Sequence, residues 1–225
     1  MKKRSWSLSG LTLWGFLVVS LGLTTGQVPT AEAVPVPAAS ITVQGASNGT
    51  FNTTQGWAFT PTVPISVTGL GLFDLGLDGL GLAHQVGLWD SGGNLLVSAT
   101  VLAGTAAPLE SSFRYVSVSA TSLAANTTYV IGAGYPGPCC VDDLLVDGIN
   151  GNVAAFDSRI TPAGGRSSFS LFVFPDLSDS PGQNGRFGPN FIFDTNLASV
   201  PEPSSLFLLG AGLVAFAVWR RKHSA

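Results

Sequence analysis

His84-Gln-Val-Gly-Leu-Trp-Asp90, then Ser91-Gly-Gly-Asn94, then Leu95-Leu-Val-Ser-Ala-Thr-Val101 decide the fold class. Val86 and Leu88 alternate with Gln85 and Gly87, while Leu95, Val97, Ala99 and Val101 alternate with Leu96, Ser98 and Thr100. A period of two on both sides of a Gly-rich turn predicts a β-hairpin, because successive strand side chains point to opposite faces. Further β-prone runs stand at Gly56–Thr60, Ile65–Thr68, Phe113–Val118, Tyr129–Ala133, Phe169–Phe174 and Asn190–Phe193. Pro61, Pro64, Pro175, Pro181 and Pro189 punctuate them, and proline cannot donate to a strand ladder. Many short strands, with no helical period between them, predict an all-β, antiparallel β-sandwich, with barrel closure as the other way to finish such a sheet. Pro136 to Ser168 is poor in alternation and is expected to form long loops at one end.

The two ends of the chain are of a different kind. Lys2, Lys3 and Arg4 precede an apolar stretch from about Leu8 to Leu23, and Ala31-Glu32-Ala33 offers small residues around a cleavage point. That is the layout of a secretory signal peptide over residues 1–33, which makes the Sec export machinery the first partner. Residues 34–55 then read as a Pro- and Ala-rich leader and first strand, 56–196 as the sandwich, and 197–225 as a C-terminal tail. Within the tail, Leu206 to Trp219 carry no charge and end on Arg220-Arg221-Lys222. Fourteen helical residues make about 21 Å, short of the roughly 30 Å hydrocarbon core, so a transmembrane helix over 206–219 must thin the bilayer or let its flanks snorkel. The basic cluster holds the end of the chain in the cytoplasm and puts the body on the far side of the inner membrane.

Val200-Pro201-Glu202-Pro203, the apolar run and the Arg220-Arg221 stop together resemble the PEP-CTERM sorting signal of exported bacterial proteins. The resemblance implies recognition of Pro201-Glu202-Pro203 by the membrane-embedded processing enzyme exosortase. It also implies a Gram-negative, matrix-producing host, transient anchoring in the membrane, and release to the cell surface or the extracellular biofilm matrix. An anchor that is never cut is the plainer reading of the same residues. A second resemblance lies in the body. Phe73-Asp74, Gly79 to Asp90, Gly93 to Val101, Phe113-Arg-Tyr-Val116, Tyr129 to Ala133 and Phe187-Gly-Pro-Asn-Phe191 are similar to an uncharacterised extracellular β-sandwich domain carried by PEP-CTERM proteins. No activity comes with that resemblance.

Between Val34 and Ser199 there are four arginines, no lysine and eleven carboxylates, a net charge of −7. Such a body is repelled by phosphate backbones, which disfavours nucleic acid. It suits divalent cations or a hydrated polysaccharide, and equally plain solubility. Cys139 and Cys140 are adjacent in an oxidising compartment. Consecutive Cα atoms are 3.8 Å apart, below the usual disulfide span, so a bond between them is strained; free thiols and pairing between chains are the alternatives. Two adjacent thiolates lack the spaced partners of a zinc site.

Catalytic patterns are present only on paper. Gly45-Ala-Ser47-Asn-Gly49 fits a nucleophile elbow with Asp74 and His84 following, but that device needs a strand-to-helix turn and the surroundings are β. Gly132-Ala-Gly134-Tyr-Pro-Gly137 fits a dinucleotide fingerprint, yet Pro138 and Cys139 stand where a helix must begin. His84 is the only histidine of the mature body and reads as a hydrogen-bonding residue at a strand start, near Asp90 or the Asp74 loop. Asp74 and Asp78, four apart among glycines, are the candidate calcium ligands, with ordinary turn chemistry as the alternative. Trp57, Trp89, Tyr115 and Tyr135 are candidates for stacking on sugar rings, with the core as the alternative for at least half of them, since Trp89 and Tyr115 sit within alternating strands. The reading favoured is a non-enzymatic surface or matrix protein with a structural or adhesive role. The alternatives are a carbohydrate-binding module of the exopolysaccharide matrix and a secreted polysaccharide hydrolase.

Overall fold

The structure, a computed structural model, describes residues 35–42, 52–137, 152–179 and 185–194, together with the backbone of Leu145–Val146. The strands run β1 (Val36–Pro37), β2 (Ala39–Thr42), β3 (Thr53–Pro61), β4 (Ile65–Phe73), β5 (His84–Asp90), β6 (Leu95–Val101), β7 (Leu109–Glu110), β8 (Phe113–Leu123), β9 (Tyr129–Tyr135), β10 (Leu145–Val146), β11 (Val153–Phe156), β12 (Ile160–Ser168), β13 (Leu177–Ser178), β14 (Arg186–Phe187) and β15 (Pro189–Asp194). Every pairing is antiparallel, and no helix occurs among the described residues. A five-stranded sheet has the order β1-β15-β4-β8-β7 and a six-stranded sheet the order β13-β12-β3-β9-β5-β6; β2 with β11 and β10 with β14 make two short ribbons.

One hydrophobic core joins the two large sheets. Leu70 and Leu72 of β4 and Phe191 and Phe193 of β15 meet Trp57 and Phe59 of β3, Leu88 of β5 and Ile131 of β9. Trp57 is wholly buried, stacked on Phe191 at 5.8 Å and flanked by Phe59, Phe156 and Phe187. Its indole N–H donates to the Pro189 carbonyl at 2.9 Å, so the polar atom that accompanies this large apolar surface is satisfied across the two sheets.

The predicted hairpin forms as β5 and β6, joined by a turn that Asp90 organises. Its carboxylate accepts from the Gly92 and Asn94 amides at 2.9 Å and from Asn94 Nδ2 at 2.8 Å. The Asn94 side chain, first, and these amides hold the Asp90 carboxyl below its ordinary pKa. The two strands differ in depth: β5 is buried, whereas β6 is the sheet edge and Leu95 and Leu96 are exposed.

Three expectations are corrected. The leader is part of the sheets: β1 pairs with β15, β2 pairs with β11, and Ala38 and Ala39 are buried. The stretch expected as long loops contains β11 and the nine-residue β12, which pairs with β3 through a bulge between Pro162 and Gly165. Small residues such as Ala163, Gly164 and Gly165 hide that strand from any alternation test. Finally, Phe169 to Phe174 alternates as a strand should but pairs with nothing. It crosses the outer face of the six-stranded sheet as a strap, with Phe172 at a φ of 48° and Phe169, Leu171 and Val173 facing solvent.

Glycines on that face admit the strap. A Cβ at Gly132 would meet Pro175 and Thr54, one at Gly134 would meet Leu171 and Phe172, and one at Gly87 would overlap the Trp89 ring. The Thr54 hydroxyl pins the strap by donating to Ser170 O at 2.8 Å and accepting from Val173 N at 3.0 Å.

Candidate functional site

The loop between β4 and β5 carries the carboxylates singled out for calcium. Asp74 is 2% exposed and Asp78 is exposed, so the two side chains sit in different surroundings. Asp74 Oδ2 accepts from Arg114 Nε at 2.6 Å, and the Gly79 amide donates to both Asp74 oxygens at 3.1 and 3.3 Å. Arg114, 4% exposed on β8, also donates from Nη1 to the Thr105 and Ala107 carbonyls, each at 3.0 Å, and from Nη2 to Leu77 O at 3.3 Å. One guanidinium therefore ties the 74–79 loop to the 102–108 loop, with the fork of donors that arginine alone provides. A calcium ion at Asp74 would have to displace this cation. Among the described residues no group of three or more His, Cys, Asp or Glu converges. Arg114 was not singled out by sequence reasoning, although an arginine inside the apolar alternation of Phe113-Arg-Tyr-Val116 signals a buried carboxylate partner.

The other body arginines also have partners, in more exposed settings. Arg159 pairs with Asp157 at 2.7 Å and lies over the Phe193 ring at 4.9 Å. The Arg159 hydrogen bond is the main cause holding the Asp157 carboxyl below its ordinary pKa, and Arg159 is raised in return. Arg186 pairs with Asp179 at 2.8 Å and reaches Gln55 Oε1 at 3.0 Å, while Arg166 meets the Ser178 hydroxyl.

His84 is 1% exposed, with Nδ1 2.9 Å from the Gly134 carbonyl and its ring edge-on to Tyr135 at 5.0 Å. The ring thus meets a neighbouring strand's carbonyl and an aromatic ring at the start of β5. Trp57, Trp89, Tyr115 and Tyr135 are 0, 4, 5 and 2% exposed, so none of the four presents a ring face to a sugar. Trp89 lies under the strap against Phe172 at 5.5 Å and Phe174 at 6.4 Å. Tyr115 Oη accepts from Asn190 Nδ2 at 2.9 Å, and Asn190 also donates to Ala39 O at 2.7 Å. Burial, first, and then the Glu110 charge push the Tyr115 phenol above its ordinary pKa.

Beside the strap is a groove of about 520 Å³ whose described lining, Ala83, Gln85, Thr100, Gly134, Pro136, Leu171 and Phe172, includes no ionisable group. Ser47, Cys139, Cys140, the signal peptide over 1–33, the helix over 206–219 and the sorting residues Val200, Pro201, Glu202, Pro203, Arg220 and Arg221 lie outside the described residues.

The sheets and the tail define an exported all-β protein that is sorted by exosortase: residues 199–222 match the PEP-CTERM protein-sorting motif, which entails transient membrane anchoring before cleavage. Over residues 35–175 the chain belongs to the family of a domain of unknown function, DUF4082. That match begins at β1 and ends as the strap ends, so β13, β14 and the core strand β15 follow it. No curated protein matches the chain.

Proposed function

We propose that this is a non-enzymatic protein of the cell surface or extracellular matrix with a structural or adhesive role. The observation that carries the reading is how the body spends its reactive side chains. Asp74, Asp157 and Asp179 are held by Arg114, Arg159 and Arg186, and His84 sits within hydrogen-bonding distance of a backbone carbonyl. Groups committed to loop clamps and strand ends serve rigidity, which a load-bearing or displayed domain needs. Export and sorting supply the destination. The test is to delete the chain from its host and fractionate the culture. A structural role predicts that the protein co-fractionates with the matrix and that its loss weakens matrix cohesion. Release of reducing sugar ends by the purified exported protein would replace this reading with the hydrolase.

A neutral polysaccharide partner is the second reading, favoured by the groove beside the strap, whose described lining is uncharged. Gln85 and Thr100 face each other across β5 and β6 and offer an amide and a hydroxyl next to the apolar edge of Leu171 and Phe172.

A further inference from the structure

We propose that β6 is a self-association edge, through which two copies of this chain join their six-stranded sheets about a two-fold axis. The argument begins with what the other sheet edges look like. An open edge presents unpaired N–H and C=O groups, and proteins blunt it with short strands, charges, proline or bulges. The edge strands of the five-stranded sheet are β1, two residues long and ending on Pro37, and β7, two residues long with Pro108 before it and Glu110 within it. On the far side of the six-stranded sheet, β13 is again two residues long and lies between Asp176 and Asp179.

The fourth edge breaks this pattern. β6 is seven residues long, Leu95-Leu-Val-Ser-Ala-Thr-Val101, with no charge and no proline, and among the described residues no strand pairs with its outer side. One bulge opposite Leu88 and Trp89 twists its first end; from Val97 to Val101 the register with β5 is regular. Leu95, Leu96 and Leu102 beside it are 48, 39 and 61% exposed, which adds apolar area to the hydrogen-bonding edge. β8 of the other sheet runs nearby without forming a ladder with β6. The second half of β8 pairs with β4 and is open only on its outer side, beyond β7, where its solvent-facing residues, Ser117, Ser119, Ala120 and Ser122, offer little apolar surface.

A second copy is the occupant this edge fits. In a body of charge −7 most faces of two copies repel, and a charge-free strand is where they can meet. Antiparallel pairing of β6 with itself about Ser98 places Val97 opposite the partner's Ala99 and Leu96 opposite the partner's Thr100, so every cross-strand pair is uncharged. The contact is isologous and closes at two copies, giving a dimer rather than a fibre. It is smaller than the roughly 1,600 Å² of standard complexes, so its population depends on concentration. A shared sorting route to one surface supplies that concentration.

The experiment uses the exported protein as its host releases it. Sedimentation from about 1 μM to about 100 μM should show conversion from monomer to dimer by mass action. Over the same range, amide exchange at Leu96 to Val101 should slow at least several-fold, while exchange in β9 stays unchanged. Ser98 is half-exposed on the strap side of the sheet, so Ser98→Lys and Ser98→Glu should each fold with a wild-type melting midpoint and remain monomeric, because like charges fall opposite each other. An equimolar mixture of the two variants should restore the dimer. A wild-type monomer with concentration-independent exchange in β6 overturns the proposal, as does a dimer that persists in Ser98→Lys alone.

Discussion

Removing the guanidinium of Arg114 exposes how the ends of β4 and β8 are held. In Arg114→Met the apolar stem is kept, but the Asp74 carboxylate, 2% exposed, loses its cation and is left to the Gly79 amide. Breaking a buried pair from one side costs about 3–5 kcal/mol, because an uncompensated charge stays behind. The carbonyls of Leu77, Thr105 and Ala107 lose donors as well, at about 1 kcal/mol each where water cannot replace them. A domain of this size has about 5–15 kcal/mol in total, so the variant keeps a fraction of its stability and melts about 10–15 °C lower. The double variant Arg114→Met/Asp74→Leu removes the stranded charge and should recover about 2 kcal/mol of the loss. Urea unfolding followed by tryptophan fluorescence reads this directly, since Trp57 and Trp89 are the two tryptophans between Val34 and Ser199 and both are buried. An Arg114→Met variant within about 0.5 kcal/mol of wild type, the range of ordinary surface changes, refutes the clamp. So does a double variant as unstable as the single one.

Three further outcomes follow from the same geometry. Tyr115 titrates higher folded than unfolded, so its contribution is fully present below the unfolded value of about 10 and is lost as pH rises beyond it. Tyr115→Phe should therefore flatten the fall in stability above pH about 10, and an unchanged slope contradicts the assignment. At Gly56 an added Cβ would run into the Ile131 carbonyl across β3 and β9, a backbone group that cannot swing away. Gly56→Ala should thus cost about 1–3 kcal/mol in a urea titration, and a neutral result would mean that the central strands can separate. Because Arg114 already neutralises Asp74, melting midpoints in millimolar calcium and in chelator should coincide; a calcium-dependent rise that disappears in Asp74→Asn/Asp78→Asn would establish the site.

The parts of the fold legible in the sequence are those where burial on one face writes an alternating pattern. β5, β6, β8 and β15 carry it, while β9, buried at every position, shows as a short apolar run; each includes the run expected of it. β12 does not, because its Ala-Gly-Gly centre packs backbone where other strands pack side chains, as the contact between Gly165 and the Asp179 carboxylate illustrates. The strap shows the converse: Phe169 to Phe174 alternates between solvent and the Trp89 surface, and a period of two reports two environments without reporting a ladder. Burial of the aromatics goes further than the expected half, since all four candidates are covered. Trp89 stands in the outward phase of β5 and is buried all the same, because glycines at 87, 132 and 134 leave space for a covering segment. The Asp74 loop was visible as a carboxylate-rich turn, while its partner stood forty residues away on β8.

Sorting through the tail is the central claim, and the intact mass and location of the body test it most directly. Changing Pro201-Glu202-Pro203 to Ala-Ala-Ala in the host should leave the protein in the inner-membrane fraction with residues 206–219 attached, while the wild type is recovered outside the cell at the shorter mass. Release of the altered protein at the wild-type mass would contradict the account.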